Sequence, residues 1–323
     1  NFVHQKDRAI LDLFAGSASL AGAIGKQVNF VSNDIQEYSK VLSQTYLVNL
    51  RDADIPDIDH IHQQVLDLVA ANVQKEYLVD YNKLNDIEDF NCLEENQKDL
   101  INKDFSYDYH LFAKNYSGTW WSYEQCLWID ALREVADEYK DKPIYPIFLS
   151  SLMYSMAYCS QGTGHYAQYR DAKTNSSFND ICIYRKKEVF KFFHKKFNEL
   201  CTYSLNTKSK VNSAFLSADF KEALKTFEGG TVYADPPYCF VHYSRFYHAL
   251  ETLVLYDYPE IQKKNNVIVK GRYREDRHQS PFCIKTKVED AFLDMFKGVE
   301  STKSQLALSY SNTAMIILET IME

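Results

Sequence analysis

Apolar residues fall into short continuous runs near the two ends of the chain and into helical spacing through its middle. Ala9 to Phe14 (A-I-L-D-L-F) predicts a buried strand; Ala15-Gly16-Ser17 ends it, and a helix starts from Leu20. Phe30-Val31-Ser32-Asn33-Asp34 predicts a second strand ending in an acid, followed by a helix from about Ile35 to Asn49. This β-α-β-α opening predicts a parallel sheet. From Arg51 to Asn206 the pattern becomes mostly helical, polar and rich in Tyr, Phe and Trp, with Trp120, Trp121 and Trp128 close together and a loop at Gly162-Thr163-Gly164-His165. Strand signals return at Ser213 to Ser217, Thr231 to Ala234, Asn266 to Val269, Leu306 to Ser309 and Ala314 to Thr320, the last two spaced as a hairpin. There is no internal repeat.

The pattern predicts an α/β fold: a Rossmann-like, mostly parallel sheet with a C-terminal antiparallel hairpin, interrupted by a large helical insertion. The boundaries are residues 1–50 and 207–323 for the sheet domain and 51–206 for the insertion. An excursion of that size rarely serves to complete a sheet and more often carries recognition.

Composition narrows the class. Hydrophobic residues make up 46% and charged residues 25%, which is globular, not disordered. No run of about 18 apolar residues appears, and the start carries no signal-peptide pattern, so no membrane partner is expected. Seven scattered cysteines, with no C-x-x-C pair, argue against a zinc site and a disulfide framework and suit a reducing cytoplasm. The net charge of -8 by itself argues against nucleic acid. Charge is unevenly spread, however: acids crowd between Asp52 and Asp108, whereas cations cluster at Arg185 to Lys187, Lys191 to Lys196, Lys208 to Lys210 and Lys263 to Arg277. Taken singly, each cluster reads as a solvated helix face; together they allow a basic cleft on an acidic body. The candidate phosphate contacts are Lys186, Lys187, Lys195, Lys196, Lys270, Arg272, Arg274 and Arg277.

Asp235-Pro236-Pro237-Tyr238 follows directly on the strand Thr231 to Ala234. Two prolines cannot continue a parallel strand, so the chain stops at its carboxyl end, where open α/β sheets bind ligands. The turn sets a carboxylate and a backbone carbonyl side by side, with an aromatic ring after them. That suits a planar exocyclic amine, whose delocalised lone pair makes it a weak nucleophile. The Asp235 carboxylate and the Pro236 carbonyl can hold its two N–H groups while Tyr238 stacks on the ring. A bare D-P-P could equally be a rigid turn, but here an aromatic follows and a second motif lies upstream.

That motif is Asp12-Leu13-Phe14-Ala15-Gly16-Ser17, a small-residue turn that lets a ligand approach the backbone. Asp34, ending the next strand, is placed to accept both hydroxyls of a ribose. Neither G-x-G-x-x-G nor G-K-[ST] is present, so a nucleoside without a phosphate tail, such as S-adenosylmethionine (AdoMet), fits better than NAD. Asp219, before Phe220, could accept the cofactor's adenine amine or simply cap the following helix.

In this order, Phe14-Ala15-Gly16, Asp34, Asp219-Phe220 and Asp235 to Tyr238 resemble the Dam-like adenine-N6 DNA methyltransferases, and more narrowly the modification enzymes of type II and IIS restriction systems. Ser32 to Ile35, Tyr38 to Leu42 and Leu308 to Asn312 add to the likeness, which covers about half of the chain at its two ends. The resemblance implies AdoMet as cofactor and no metal, with Asp34 on the ribose and Asp219 on the adenine. It implies that Asp235, Pro236 and Tyr238 hold a flipped adenine of double-stranded DNA. Asp12, Phe14, Ala15, Gly16, Ser17, Ile35, Phe220 and Asp235 complete the candidate cofactor set. A restriction-modification or phage-related setting follows, with a cognate restriction endonuclease as a further partner. The chain departs from the family twice. Ala18 stands where a second glycine is usual, and only about eight residues precede the first strand, where the family carries a further cofactor motif. The same turn also serves enzymes that methylate RNA adenine or protein glutamine, and a non-catalytic DNA-binding module would share the fold; intact Asp235 and Tyr238 argue against the last.

Overall fold

The computed structural model describes residues 8–162, 164–237, 243–311 and 316. The elements run β1 (Ala9–Asp12), α1 (Ser19–Ile24), β2 (Phe30–Asp34), α2 (Glu37–Leu47), α3 (Ile58–Asn72), α4 (Ile87–Lys98), α5 (Leu111–Tyr116) and α6 (Tyr123–Asp137). Then come α7 (Tyr145–Cys159), α8 (Asn175–Arg185), α9 (Val189–Asn206), β3 (Ser213–Ser217), α10 (Phe220–Thr226), β4 (Gly230–Ala234) and α11 (Tyr243–Phe246). Last are α12 (His248–Leu255), β5 (Lys263–Lys264), β6 (Val267–Ile268), α13 (Val288–Ser301) and β7 (Gln305–Leu308). The chain divides into two compact units, residues 1–49, 203–244 and 277–323 in one and residues 50–202 and 245–276 in the other.

The first unit holds a sheet in the order β3-β2-β1-β4-β7, and each of these pairings is parallel. A parallel sheet must be covered on both faces, and the alternation along β1 shows how. Ile10 joins a core with Ala18, Ala21, Phe30 and Leu47, while Leu11 joins one with Leu224, Val232, Phe292 and Met295. α13 supplies the second core through Val288, Ala291, Phe292, Met295 and Val299, an i, i+3, i+4, i+7 stripe. From β1 the chain moves outward one way through β2 and β3 and the other way through β4 and β7. The order therefore reverses between β1 and β4, the switch point at which such sheets bind ligands.

Two sequence expectations change in place, and a third lies partly outside the described residues. The strand signal at Asn266 to Val269 becomes β6, paired antiparallel with β5 outside the main sheet. Residues 245–276, read from the sequence as part of the sheet domain, cluster with the helical unit. Leu306 to Ser309 becomes β7, parallel to β4; its proposed hairpin partner, Ala314 to Thr320, lies outside the described residues but for Ile316.

In the second unit, α6 opens on a capping box in which Ser122 and Gln125 satisfy each other's backbone N–H groups. Asp130 of α6 is buried and accepts hydrogen bonds from the Phe112 and Ala113 amides and the Tyr256 hydroxyl. It thereby caps α5 from inside and fixes the segment after α12. Burial pushes its carboxyl up to about 7 despite those three donors. Arg185 at the end of α8 forms a buried bidentate pair with Glu94 of α4, at 2.9 and 2.7 Å.

Candidate cofactor and base site

The carboxyl ends of β1, β2 and β4, three adjacent strands, each carry an acid: Asp12, Asp34 and Asp235. Short backbone bonds extend the ladders past the strands and fix the loops that follow. The Leu13 amide donates to the Tyr233 carbonyl at 2.9 Å, Ala15 to Asn33 at 2.9 Å, and Ser309 to Ala234 at 2.8 Å.

Asp34 is held from both sides: its Oδ2 accepts the Gly16 amide at 2.9 Å and its Oδ1 the Gln36 amide at 3.0 Å. Burial raises its pKa, opposed by these donors and by nearby His278. The Gly16 turn has φ +52°, and the nearest atom to a Cβ placed there is the Phe14 carbonyl oxygen at 3.9 Å. The turn is therefore open, and glycine is needed for its conformation, not for lack of room. Ala18 also adopts the left-handed region, φ 60° and ψ 27°. An alanine thus stands where a glycine would be unstrained, at a cost of about 1 kcal/mol, and its buried methyl packs in the core with Ile10 and Phe30.

Asp12 is buried, and its Oδ1 has no hydrogen-bond partner among the described residues. Burial first, then the charges of Asp34 and Asp235, push its carboxyl up to about 7, against a hydrogen bond from the Phe14 backbone. Asp235 is exposed and Pro236 behind it is buried, so the turn is anchored while its carboxylate faces outward. Tyr238 lies outside the described residues. Asp219 caps α10, its Oδ1 accepting the Lys221 amide at 2.9 Å, and remains half-buried. Ile35 is 38% exposed beside Asp34, an apolar side chain left uncovered at the strand ends. Ser17 is exposed, its hydroxyl 2.8 Å from that of Ser19, and Ala15 is buried.

Two supporting residues had no role assigned from the sequence. Asn33 donates through Nδ2 to the Leu13 and Ala218 carbonyls, both at 3.1 Å, tying together the chain after β1 and after β3. Phe282 packs edge-on against Phe14 (5.3 Å between centroids, 83°) and against Phe220 (5.2 Å, 61°), clamping two candidate cofactor residues. Asn33 stands between Ser32 and Asp34 in a strand whose last three residues are polar, so the pattern did not set it apart; Phe282, far along the chain, gave no signal.

The candidate phosphate contacts fare unequally. Lys186 is exposed, with no ion pair among the described residues. Lys187 donates to the Tyr158 carbonyl at 2.7 Å and lies over the Tyr184 ring at 4.2 Å. Lys195 and Lys196 share Glu199, at 4.0 and 2.5 Å. Lys270 pairs with Asp171 at 2.8 Å, and Arg274 grips Asp257 at 2.7 and 2.6 Å. Arg272 is buried and donates to the Lys98 carbonyl at 3.0 Å, so it supports the helical unit and does not face a phosphate. Arg277 is half-buried and belongs to the first unit.

Comparison with known proteins places this geometry. Residues 1–305 match the family described as D12 class N6 adenine-specific DNA methyltransferase. The modification methylase LlaI of Lactococcus lactis subsp. lactis is 24% identical, over 100% of this chain and 46% of its own length. The type II methyltransferase M.FokI of Planomicrobium okeanokoites is 22% identical, over 96% of this chain and 41% of its own. The modification methylase StsI of Streptococcus sanguinis is 24% identical over 58% and 26%. The chain thus spans less than half the length of these curated relatives. No solved structure matches it.

Proposed function

This chain belongs to the D12 class N6 adenine-specific DNA methyltransferases, and from that membership we propose that it transfers a methyl group from AdoMet to N6 of an adenine flipped out of double-stranded DNA. The observation that carries the reading is the Asp235-Pro236 turn, set directly after β4 at the switch point of the sheet and close enough to Asp12 to raise its pKa. Asp235 and the Pro236 carbonyl hold the two N–H groups of the amine, the N–C bond would form as the methyl–sulfur bond breaks, the surplus proton would pass by way of the exposed Asp235 to solvent, and Tyr238 stacks on the base. When bound, AdoMet supplies a methyl group activated by a sulfonium cation. The residues present fit such a ligand: Asp12 offers a buried oxygen without a partner among the described residues, and Ile35 an uncovered apolar surface. Asp34 takes the ribose and Asp219 the adenine, while Phe14, Ala15, Gly16, Ser17 and Phe220 form the wall. The named relatives are modification methylases, so we place the chain in a restriction-modification setting, with a cognate endonuclease as its counterpart. Scattered cysteines suit a cytoplasmic location, and no helix among the described residues is long and apolar enough to cross a membrane. Incubation with labelled AdoMet and unmethylated plasmid DNA, followed by nucleoside digestion, should yield labelled N6-methyladenine. Label found solely in RNA or protein glutamine would overturn the reading.

Two expectations concern the cofactor. Asp34→Ala removes an acceptor for two hydroxyls and for the Gly16 and Gln36 amides, and charged hydrogen bonds contribute about 1.5–3 kcal/mol each. AdoMet affinity should fall at least about tenfold; an unchanged titration would remove Asp34 from the site.

The second expectation is a pH dependence. A cationic ligand beside Asp12 favours its ionised form, so binding should expel a proton while Asp12, at about 7, is still protonated. Affinity should therefore rise from about pH 6 to about pH 8, and Asp12→Asn should flatten the rise. The sign for stability is opposite. The folded carboxyl holds its proton to higher pH than the unfolded one, so its contribution favours folding at low pH and is lost as pH rises through about 7. The Asn variant should then melt higher than the parent at about pH 8. Calorimetry across this range checks both, and an Asn variant that keeps the parental slope would exclude Asp12.

A further inference from the structure

β5 and β6 form a two-stranded hairpin, Lys263 facing Ile268 and Lys264 facing Val267. Its two-residue loop, Asn265-Asn266, has φ of 51° and 62°. Positive φ at both central positions is what a type I′ hairpin turn requires, and asparagine tolerates it better than other non-glycine residues. Lys263, Lys264, Asn265, Asn266 and Val267 are all exposed. Val267, at 69%, exceeds every other exposed large apolar side chain among the described residues. Neither lysine has an ion pair among the described residues.

An isolated hairpin is at best marginal in water, yet this one is anchored at its base. The Val269 amide donates to the Gln262 carbonyl at 3.0 Å and the Gln262 amide to the Tyr273 carbonyl at 2.8 Å. Tyr273 is buried and donates to the Ala167 carbonyl at 2.7 Å, and the Trp120 indole donates to the Gly271 carbonyl at 2.9 Å. The result is a stiff arm rooted in the helical unit, with a cationic, amide-bearing and apolar tip.

Resting on the proposed DNA methyl transfer, we infer that the hairpin 263–268 enters the major groove of the duplex and reads bases there. The major groove admits a two-stranded ribbon, and its base edges call for the groups found here. Asparagine side chains match adenine N6 and N7, lysines match guanine O6 and N7 or phosphates, and valine suits a thymine methyl. Strand alternation places Lys264 and Val267 on one face of the ribbon and Lys263 and Ile268 on the other. Lysines on an exposed edge also deter edge-to-edge pairing, and the test separates that protective role from recognition.

The full chain is compared with N265G/N266G, which keeps the turn geometry but removes both amides, and with K263E/K264E, which keeps edge-protecting charge but inverts its sign. AdoMet affinity and the thermal transition, unchanged in both, report an intact fold. The wild type's methylated sequence is first mapped on plasmid DNA. N265G/N266G should then lose at least about tenfold in discrimination against single-base variants of that site. K263E/K264E should raise KM for the duplex at least about tenfold and flatten its log–log salt slope by about two units. Parental selectivity and parental salt slope in these variants would overturn the inference. A wild-type chain that methylates no DNA would overturn the proposed function and the inference with it, and is distinguished by failing before any variant is compared.

Discussion

Asp235→Ala should lower the rate of methyl transfer by at least about a thousandfold, the upper range for removing one preorganised group that stabilises charge at a reacting centre. The loss should appear in kcat, because the carboxylate bonds most strongly to the amine as its nitrogen becomes positive. AdoMet binding should not fall with it. Asp235 is exposed, whereas the neighbouring Asp12 is buried and is disfavoured as an anion in part by the charge of Asp235. Removing that charge eases ionisation of Asp12, so AdoMet affinity at neutral pH should stay equal or increase slightly. A filter-binding or calorimetric titration beside a single-turnover assay measures the two effects separately. Substantial methylation by Asp235→Ala would discard the mechanism; intact transfer chemistry with lost AdoMet binding would leave Asp235 a cofactor residue alone.

The parts of this site that were legible in the sequence are those fixed by local chemistry. A strand run ended by two prolines must stop where it does, and a strand-glycine-helix turn is written in consecutive residues. Asp12, Asp34 and Asp235 were therefore placed at strand ends correctly, since each lies at or just beyond an apolar run. What was not legible depends on contacts distant in sequence. Residues 245–276 follow the Asp235-Pro236 turn within ten residues, yet cluster with the helical unit, where Arg133 donates to the Leu253 carbonyl and Trp120 to that of Gly271. The β5 strand carries Lys263-Lys264, residues with little β-propensity; its pairing comes from the Asn-Asn turn and the anchored base.

Charge was the least legible property. A cationic run looks the same in sequence whether its members face solvent or an acid. Lys196, Lys270 and Arg274 each have a carboxylate partner, and Arg272 is buried, whereas Lys186, Lys263 and Lys264 are exposed with no ion pair among the described residues. An acidic chain can therefore meet DNA with few cations, provided that its acids are spent on the others. Net charge governs long-range steering, but the slope of affinity against salt counts only the cations that reach phosphates.

The largest stability effect is expected within the helical unit. Glu94 and Arg185 are buried side by side, and the guanidinium also donates to the Thr119 carbonyl at 2.6 Å. The Tyr81 hydroxyl donates to the same carboxylate at 3.0 Å. The pair thus joins α4, α8 and the segment before α6. Glu94→Ala leaves a buried guanidinium that cannot deprotonate and has lost its counter-charge, and breaking such a pair from one side costs about 3–5 kcal/mol. The double change Glu94→Leu with Arg185→Met removes both charges, and with them the cost of desolvating either. What remains is the unsatisfied Thr119 carbonyl, about 1–3 kcal/mol at most, since the Tyr81 hydroxyl keeps Gln97 Oε1 as an acceptor at 3.4 Å. Urea unfolding should therefore show the double variant no less stable than Glu94→Ala, a strongly non-additive cycle. A single variant costing under about 1 kcal/mol would mean that water reaches the pair in solution. Because Lys186 follows Arg185 directly, loosening the end of α8 should also weaken duplex binding in Glu94→Ala, and the double variant should recover it along with the fold.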